Sequence, residues 1–256
     1  MKITSEWLTN PHTQAVCRAL EDAGYKALFV GGCVRNALLG VSVSDIDLAT
    51  DARPQTVIDI ESKAGFRAIP TGIDHGTVTV VAHGTPYEIT TFRHDVETDG
   101  RRAVIAFSDN VIDDARRRDF TMNALYADAA GAVMDPLGGL ADLQARRVRF
   151  IENPAARIRE DYLRTLRFFR FHAWYGDPQA GLDEDGLAAI AQHLDGLERL
   201  SRERVGAEMK KLLGAPDPAP SVAAMRASGV LSRVLPDADD TALGPLVHLE
   251  DSQGAG

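Results

Sequence analysis

The stretch SVSDIDLATD, residues 42–51, decides how this chain is read. IDLAT has the apolar character of a short buried strand, yet Asp45 and Asp47 frame Ile46. Side chains two apart on a strand point to the same face, so the two carboxylates would lie side by side and repel. Either a positive group sits between them or the segment is a surface loop.

The flanking sequence favours a strand. YKALFV (25–30) is a short apolar run, followed by GGCVRNALLG, two glycines and a short helical pattern closed by Gly40. Two glycines between a strand and a helix N-terminus let a phosphate approach free backbone N–H groups, where the helix dipole favours an anion. Arg35 in the first turn adds a charge-assisted donor. A tight turn alone would also explain the glycine pair. The dinucleotide fingerprint G-x-G-x-x-G and the P-loop Gly-Lys-Ser/Thr are both absent. A D-x-D strand one element later would set two hard oxygen ligands beside such a turn, although an isolated D-x-D reads more readily as a pair of surface aspartates near a turn. This donor chemistry suits Mg²⁺ with substrate phosphates, and a two-ion site activates an attacking hydroxyl and stabilises a leaving pyrophosphate.

Outward from this point, NPHTQAVCRALEDA (10–23) reads as a helix capped by Asn10, and residues 54–63 as another. TVTVVA and PYEITTF (77–82 and 86–92) form a hairpin pattern. Glu88 lies in the middle of that second, otherwise apolar or β-branched run. A buried carboxylate needs a partner, so Glu88 is either a third ligand or an outward-facing edge residue. Residues 93–110 read as a mobile loop, and DDARRRDFTMNALYA (113–127) as a helix. Its apolar set Phe120, Met122, Ala124 and Leu125 leaves some arginines to a site. After Asn153-Pro154 the pattern turns helical: 155–174, 183–194, 201–213 and 219–228. LEDSQGAG at the end reads as frayed. The expectation is an α+β fold, with a mixed α+β domain over 1–150 and a helical one over 151–256.

Composition sets limits. The chain has 256 residues, 45% hydrophobic and 25% charged, with a net charge of −9. That acidity argues against nucleic acid, but charge is local. From Gln144 to Arg170 eight arginines face three acids, a basic seam able to hold phosphates or simply a solvated helix face. No run approaches the roughly 18 apolar residues of a membrane span. Cys17 and Cys33 make neither a metal spacing nor a disulfide framework, so the expectation is a reduced cytoplasmic protein. In REDYLRTLRFFRF (159–171), Asp161 and Arg164 are read as neighbours at i, i+3 on one helix, with Arg167 and Arg170 continuing the spacing.

GGCVRNALLG, SDIDLAT, YEITTFR, RRRDFTMNAL, DPLGGLADL and REDYLRTLRFFRF occur in this order. Together they resemble the class II tRNA nucleotidyltransferase and bacterial poly(A) polymerase family. LSRERVGAEMKKLL (200–213) is similar to that family's neck helix. The resemblance implies a polymerase-β-like nucleotidyltransferase head over 1–150, then an all-α neck and partial body over 151–256 with the family's tail absent. It implies catalytic Asp45, Asp47 and Glu88, with Mg²⁺ on Asp45 and Asp47. It also implies nucleotide contacts from Gly32, Arg35, Arg118, Asp161, Arg164, Arg167 and Arg170. The activity implied is addition of CCA, from CTP and ATP, to the tRNA 3′ end, with no DNA or membrane partner. The full-length segment FRHDVETDGRRAVIAF (92–107) favours a CCA- or A-adding enzyme. A-only addition, poly(A) synthesis and a non-catalytic RNA-binding fragment are the alternatives. One departure stands out: the family's Asp after the GG-x-x-R arginine is Asn36 here.

Overall fold

The computed structural model describes residues 1–98 and 103–254, and the chain passes from one unit to a second between Leu143 and Gln144. The first unit opens with α1 (Glu6–Thr9) and α2 (Pro11–Asp22), where the Asn10 side chain caps the His12 N–H. Then come β1 (Leu28–Val30), α3 (Gly32–Leu39), β2 (Ile46–Thr50), α4 (Pro54–Lys63), β3 (Arg67–Gly72), β4 (Thr77–Ala82) and β5 (Thr85–Thr91). β6 (Arg93–Thr98), β7 (Ala103–Phe107), α5 (Val111–Arg116), β8 (Tyr126–Ala127), β9 (Val133–Met134) and α6 (Gly139–Gln144) complete it.

Seven strands form one sheet in the order β3-β4-β5-β2-β1-β8-β9. β2 runs parallel to β5, and the other neighbours pair antiparallel. The alternation of side chains sorts the faces. Leu48 pairs in register with Ile89, and both are fully buried. α2 and α4 pack against the β3–β5 part of the sheet. One residue earlier, Asp47 pairs with Glu88, so both carboxylates take the opposite face. Burying Leu48 and Ile89 stabilises this register by about 1.5–3 kcal/mol each. A one-residue slip would forfeit that gain and turn the acids inward.

The second unit is helical: α7 (Pro154–Glu160), α8 (Leu163–Tyr175), α9 (Glu184–Gln192), α10 (Arg202–Leu213), α11 (Ala219–Ala227), α12 (Val230–Val234) and α13 (Leu243–Gly254). Its core joins Leu166, Phe168 and Phe169 of α8 to buried Met209 and Leu212 of α10.

Four expectations need correction. Residues 93–110 are not simply a loop, since β6 and β7 form a two-stranded sheet. Their β-branched content outweighs the mixed charge, and residues 99–102 lie outside the described ones. Residues 113–127 are not one helix. α5 stops at Arg116, and Asp119 Oδ1 then accepts from the Phe120 N–H and from Asn123 Nδ2. Such local side-chain bonds compete with helix continuation. Residues 155–174 break at Asp161, which is extended (φ −154°, ψ 108°) and caps the Leu163 N–H. Gly196 fits flush against the Tyr162 ring: a Cβ there would sit 1.8 Å from a ring carbon. Finally, Leu249–Gly254 continues α13, and residues 255–256 of that segment lie outside the described ones.

Candidate active site

The glycine corner is built first. Gly31 ends β1 with φ 71° and ψ −122°, a conformation L side chains rarely adopt. A Cβ there would also meet Arg118 Nη1 at 3.3 Å. The bare backbone therefore lets the guanidinium lie against the turn. Gly32 opens α3, and Cys33 donates its thiol to the Val30 carbonyl at 3.3 Å and the Asp47 carbonyl at 3.7 Å. That ties the corner to the D-x-D strand.

Asp45 directly precedes β2, is exposed and accepts from Ser44 Oγ at 2.9 Å. Asp47 is half-buried, and Glu88 is exposed beside it in the parallel register. Burial, then the neighbouring Glu88 charge, push the Asp47 carboxyl up to about 6; Arg118 opposes the shift and Asp45 adds to it. All four charged groups therefore act on one small region. Among the described residues, none of the three acids closes an ion pair, and no three His, Cys, Asp or Glu side chains form a ready-made metal cage. Repelling carboxylates on one sheet face still fit a hard divalent cation, because Mg²⁺ takes one or two carboxylates and completes its shell with water and substrate phosphates.

The cations around this region are held in advance. Arg118 donates through Nη2 to Asp114 Oδ2 at 2.9 Å and through Nε to the Tyr126 hydroxyl at 3.2 Å. Arg117 pairs with the other Asp114 oxygen at 2.7 Å. Burial works against ionising Asp114, yet Arg118, Arg117 and the Tyr126 hydroxyl hold its carboxyl well below the usual range. Arg35, nearly buried, donates to Asn36 Oδ1 at 2.9 and 3.1 Å and to Asn123 Oδ1 at 2.5 Å. Asn36 thus offers Arg35 an acceptor although it carries no charge.

In the second unit the predicted residues are placed differently from expectation. Asp161 and Arg164 do not share a helix: Asp161 lies in the break, and its carbonyl accepts from the Arg164 N–H at 3.0 Å. The Asp161 carboxylate pairs with Arg204 at 2.7 Å, and Arg164 Nη1 with Glu160 at 2.6 Å. Glu160 also pairs with Arg157. Arg167 lies over the Phe171 ring. Arg170 lies over that ring too, but its Nε donates to nearly buried Glu208 at 2.6 Å, so it ties α8 to α10.

Sequence reasoning missed Asp114, Asn123, Glu160 and Arg204. Asp114 stood four residues before Arg118, a readable i, i+4 pair. Glu160 stood four before Arg164 in the same way. Arg204 is 43 residues from Asp161, and no local pattern connects them.

The fold is that of a nucleotidyltransferase head followed by helices. Residues 27–149 match the poly A polymerase head domain, and residues 181–241 match the probable RNA and SrmB-binding site of polymerase A. The chain is 43% identical over 184 residues to the Homo sapiens mitochondrial CCA tRNA nucleotidyltransferase 1, covering 72% of this chain and 42% of that protein. It is 42% identical over 211 residues to the Lacticaseibacillus paracasei CCA-adding enzyme, covering 80% and 51%. The crystal structure of the Bacillus stearothermophilus CCA-adding enzyme in complex with CTP superposes with a TM-score of 0.82 at 35% identity, covering 95% of this chain and 58% of that one. The chain belongs to the tRNA nucleotidyltransferase and poly(A) polymerase family. It spans about half the length of the curated relatives it matches.

Proposed function

We propose that the chain adds CCA, from CTP and ATP, to the 3′ end of tRNA without a nucleic-acid template. The observation that carries the reading is the in-register pair Asp47–Glu88 with Asp45 two residues earlier, beside the Gly31–Gly32 corner. The names of the relatives supply the substrate class. Residues 1–150 act as the catalytic head and 151–256 as the helical recognition part.

Asp45 and Asp47 would hold Mg²⁺, with Glu88 as the third carboxylate of the catalytic set. The ions, when bound, lower the pKa of the attacking hydroxyl and neutralise charge on the departing pyrophosphate. The chain's own residues do the rest. The Gly32 backbone leaves room for phosphate oxygens, and Arg35 and Arg118 bring charge that is already oriented and needs little reorganisation at the moment of reaction. Asp161 accepts from the amino group of cytosine or adenine, while Arg164 donates to the adjacent ring nitrogen. Uracil presents the reverse pattern and leaves both groups unpaired, and hydrogen-bonding sites reject such mismatches strongly. In this reading Arg167, held over the Phe171 ring, serves as a further phosphate contact. Arg170 is tied to Glu208 through Nε, and in this reading its remaining guanidinium N–H groups serve the phosphates.

No described helix is long and apolar enough to cross a membrane. Both cysteines are free and buried, which suits a reduced cytoplasmic setting. The test is incubation with Mg²⁺, labelled CTP or ATP, and tRNA lacking its 3′ end. Incorporation of CCA that disappears in the Asp45→Ala, Asp47→Ala double variant is the expected result. Incorporation surviving that change rejects the metal assignment. A product ending in A alone or in poly(A) selects the A-adding or poly(A) alternative instead.

A further inference from the structure

We propose that Arg204 governs nucleobase selectivity by fixing the orientation of the Asp161 carboxylate, an inference that rests on Asp161 and Arg164 being the base-selecting pair. Positions 204, 208 and 211 recur at spacings of four and three, which places them on one face of α10. Each makes one tie. Arg204 Nη2 donates to Asp161 Oδ2 at 2.7 Å, Glu208 accepts from Arg170 at 2.6 Å, and the Lys211 carbonyl accepts from Trp174 Nε1 at 2.8 Å. The latter two ties join helix to helix.

The first tie is different, because it reaches a residue that belongs to neither α7 nor α8. Asp161 has no helical turn around it to restrict its side chain, and the carboxylate torsion of aspartate is intrinsically broad. Two contacts restrict it here: the Leu163 N–H holds Oδ1 at 3.0 Å, and Arg204 holds Oδ2. A contact on each oxygen defines the carboxylate plane. An ionised carboxylate offers about four acceptor sites, so lone pairs remain for a base amino group. Arg164 is held independently, by Glu160 at 2.6 Å and by the Arg157 carbonyl at 3.2 Å. One half of the pair is therefore aimed by Glu160 and the other by Arg204.

Exposure separates orientation from stability. The Arg204 and Asp161 side chains are 32% and 30% exposed. Exposed pairs of this kind contribute little to folding, about 1 kcal/mol or less. A misplacement of about 1 Å in a recognition group, by contrast, costs up to about 100-fold.

The experiment measures CTP and UTP binding by titration calorimetry with Mg²⁺, in the full chain and four variants. Wild type binds CTP more tightly than UTP. Arg204→Met lowers that preference about tenfold with little change in thermal stability, and Arg204→Lys restores much of it. Trp174→Phe removes the tie at the far end of the same stripe and leaves the preference at the wild-type ratio. A preference unaffected by Arg204→Met, or equally lowered by Trp174→Phe, overturns the inference. Asp161→Ala tests the underlying reading separately: it abolishes the preference, and a preference that survives it means Asp161 does not read the base.

Discussion

The acids of the first unit's sheet and the arginines of the second unit are handled in opposite ways. In the first, Asp47 and Glu88 share one sheet face with Asp45 just before it, and the three repel, none of them closing an ion pair among the described residues. In the second, Arg157, Arg164, Arg170 and Arg204 each meet a carboxylate. Under the proposed function, acids meant for a cation are left uncompensated, while donors meant for a planar base are oriented beforehand. The first arrangement weakens the fold through burial of Asp47 and repulsion from its neighbouring acids. The second strengthens it from the start.

The comparison breaks most readily at Asp47. Asp47→Asn lowers nucleotide incorporation by about 10³-fold or more, because several kcal/mol of transition-state stabilisation are lost. The same change raises stability in chelator at pH 7, by about 1–2 kcal/mol. An acid whose folded pKa is raised loses stability as pH climbs from its ordinary 3.8 towards about 6, and asparagine has no such loss. Denaturant unfolding checks the sign; a destabilised Asp47→Asn would contradict the idea of repelling acids.

Arg170→Met supplies the opposite arm. It leaves Glu208, 6% exposed, without its cation, and breaking a buried pair costs about 3–5 kcal/mol. The check is urea unfolding, and a cost under about 1 kcal/mol would remove the contrast between the units. Glu61 sharpens the picture within the first unit. It is fully buried and neither carboxylate oxygen has a hydrogen-bond partner. Burial pushes its carboxyl up to about 8, so stability falls as pH rises from its ordinary 4.5 to that value. Glu61→Gln flattens this slope, giving a Tm at pH 8 a few degrees above wild type and a smaller difference at pH 5. The smallest effect is on the surface: Arg233, paired with Asp195 and Glu198, changes stability by less than about 0.5 kcal/mol when replaced by alanine.

Much of the first unit was legible because its signals are local. Asn10-Pro11 starts α2 and Gly40 ends α3, and His83-Gly84 turns the hairpin. The D-x-D repeat and Glu88 were readable as strand residues, although their exact register was not. What escaped was decided by distant neighbours or by side chains competing with the backbone. Asp119 ended a helical pattern by bonding its own surroundings, and Asp161 divided another with Tyr162 packed against Gly196. The three candidate recognition arginines, Arg164, Arg167 and Arg170, were visible in sequence, but Glu208 and Arg204, which hold Arg170 and Asp161, lie some forty residues away.

The two-residue bend at His83 and Gly84 has a reach beyond its size. Both residues have positive φ, 51° and 87°, the geometry of a tight two-residue reversal. Counting from that bend determines which side of the sheet Glu88 occupies. Inserting one amino acid there would shift the parity of β5 and exchange the glutamate with a neighbouring apolar side chain. The proposed catalytic set thus depends on an odd–even count kept by a bend outside it, and a single-codon insertion there tests that count while keeping every one of its residues.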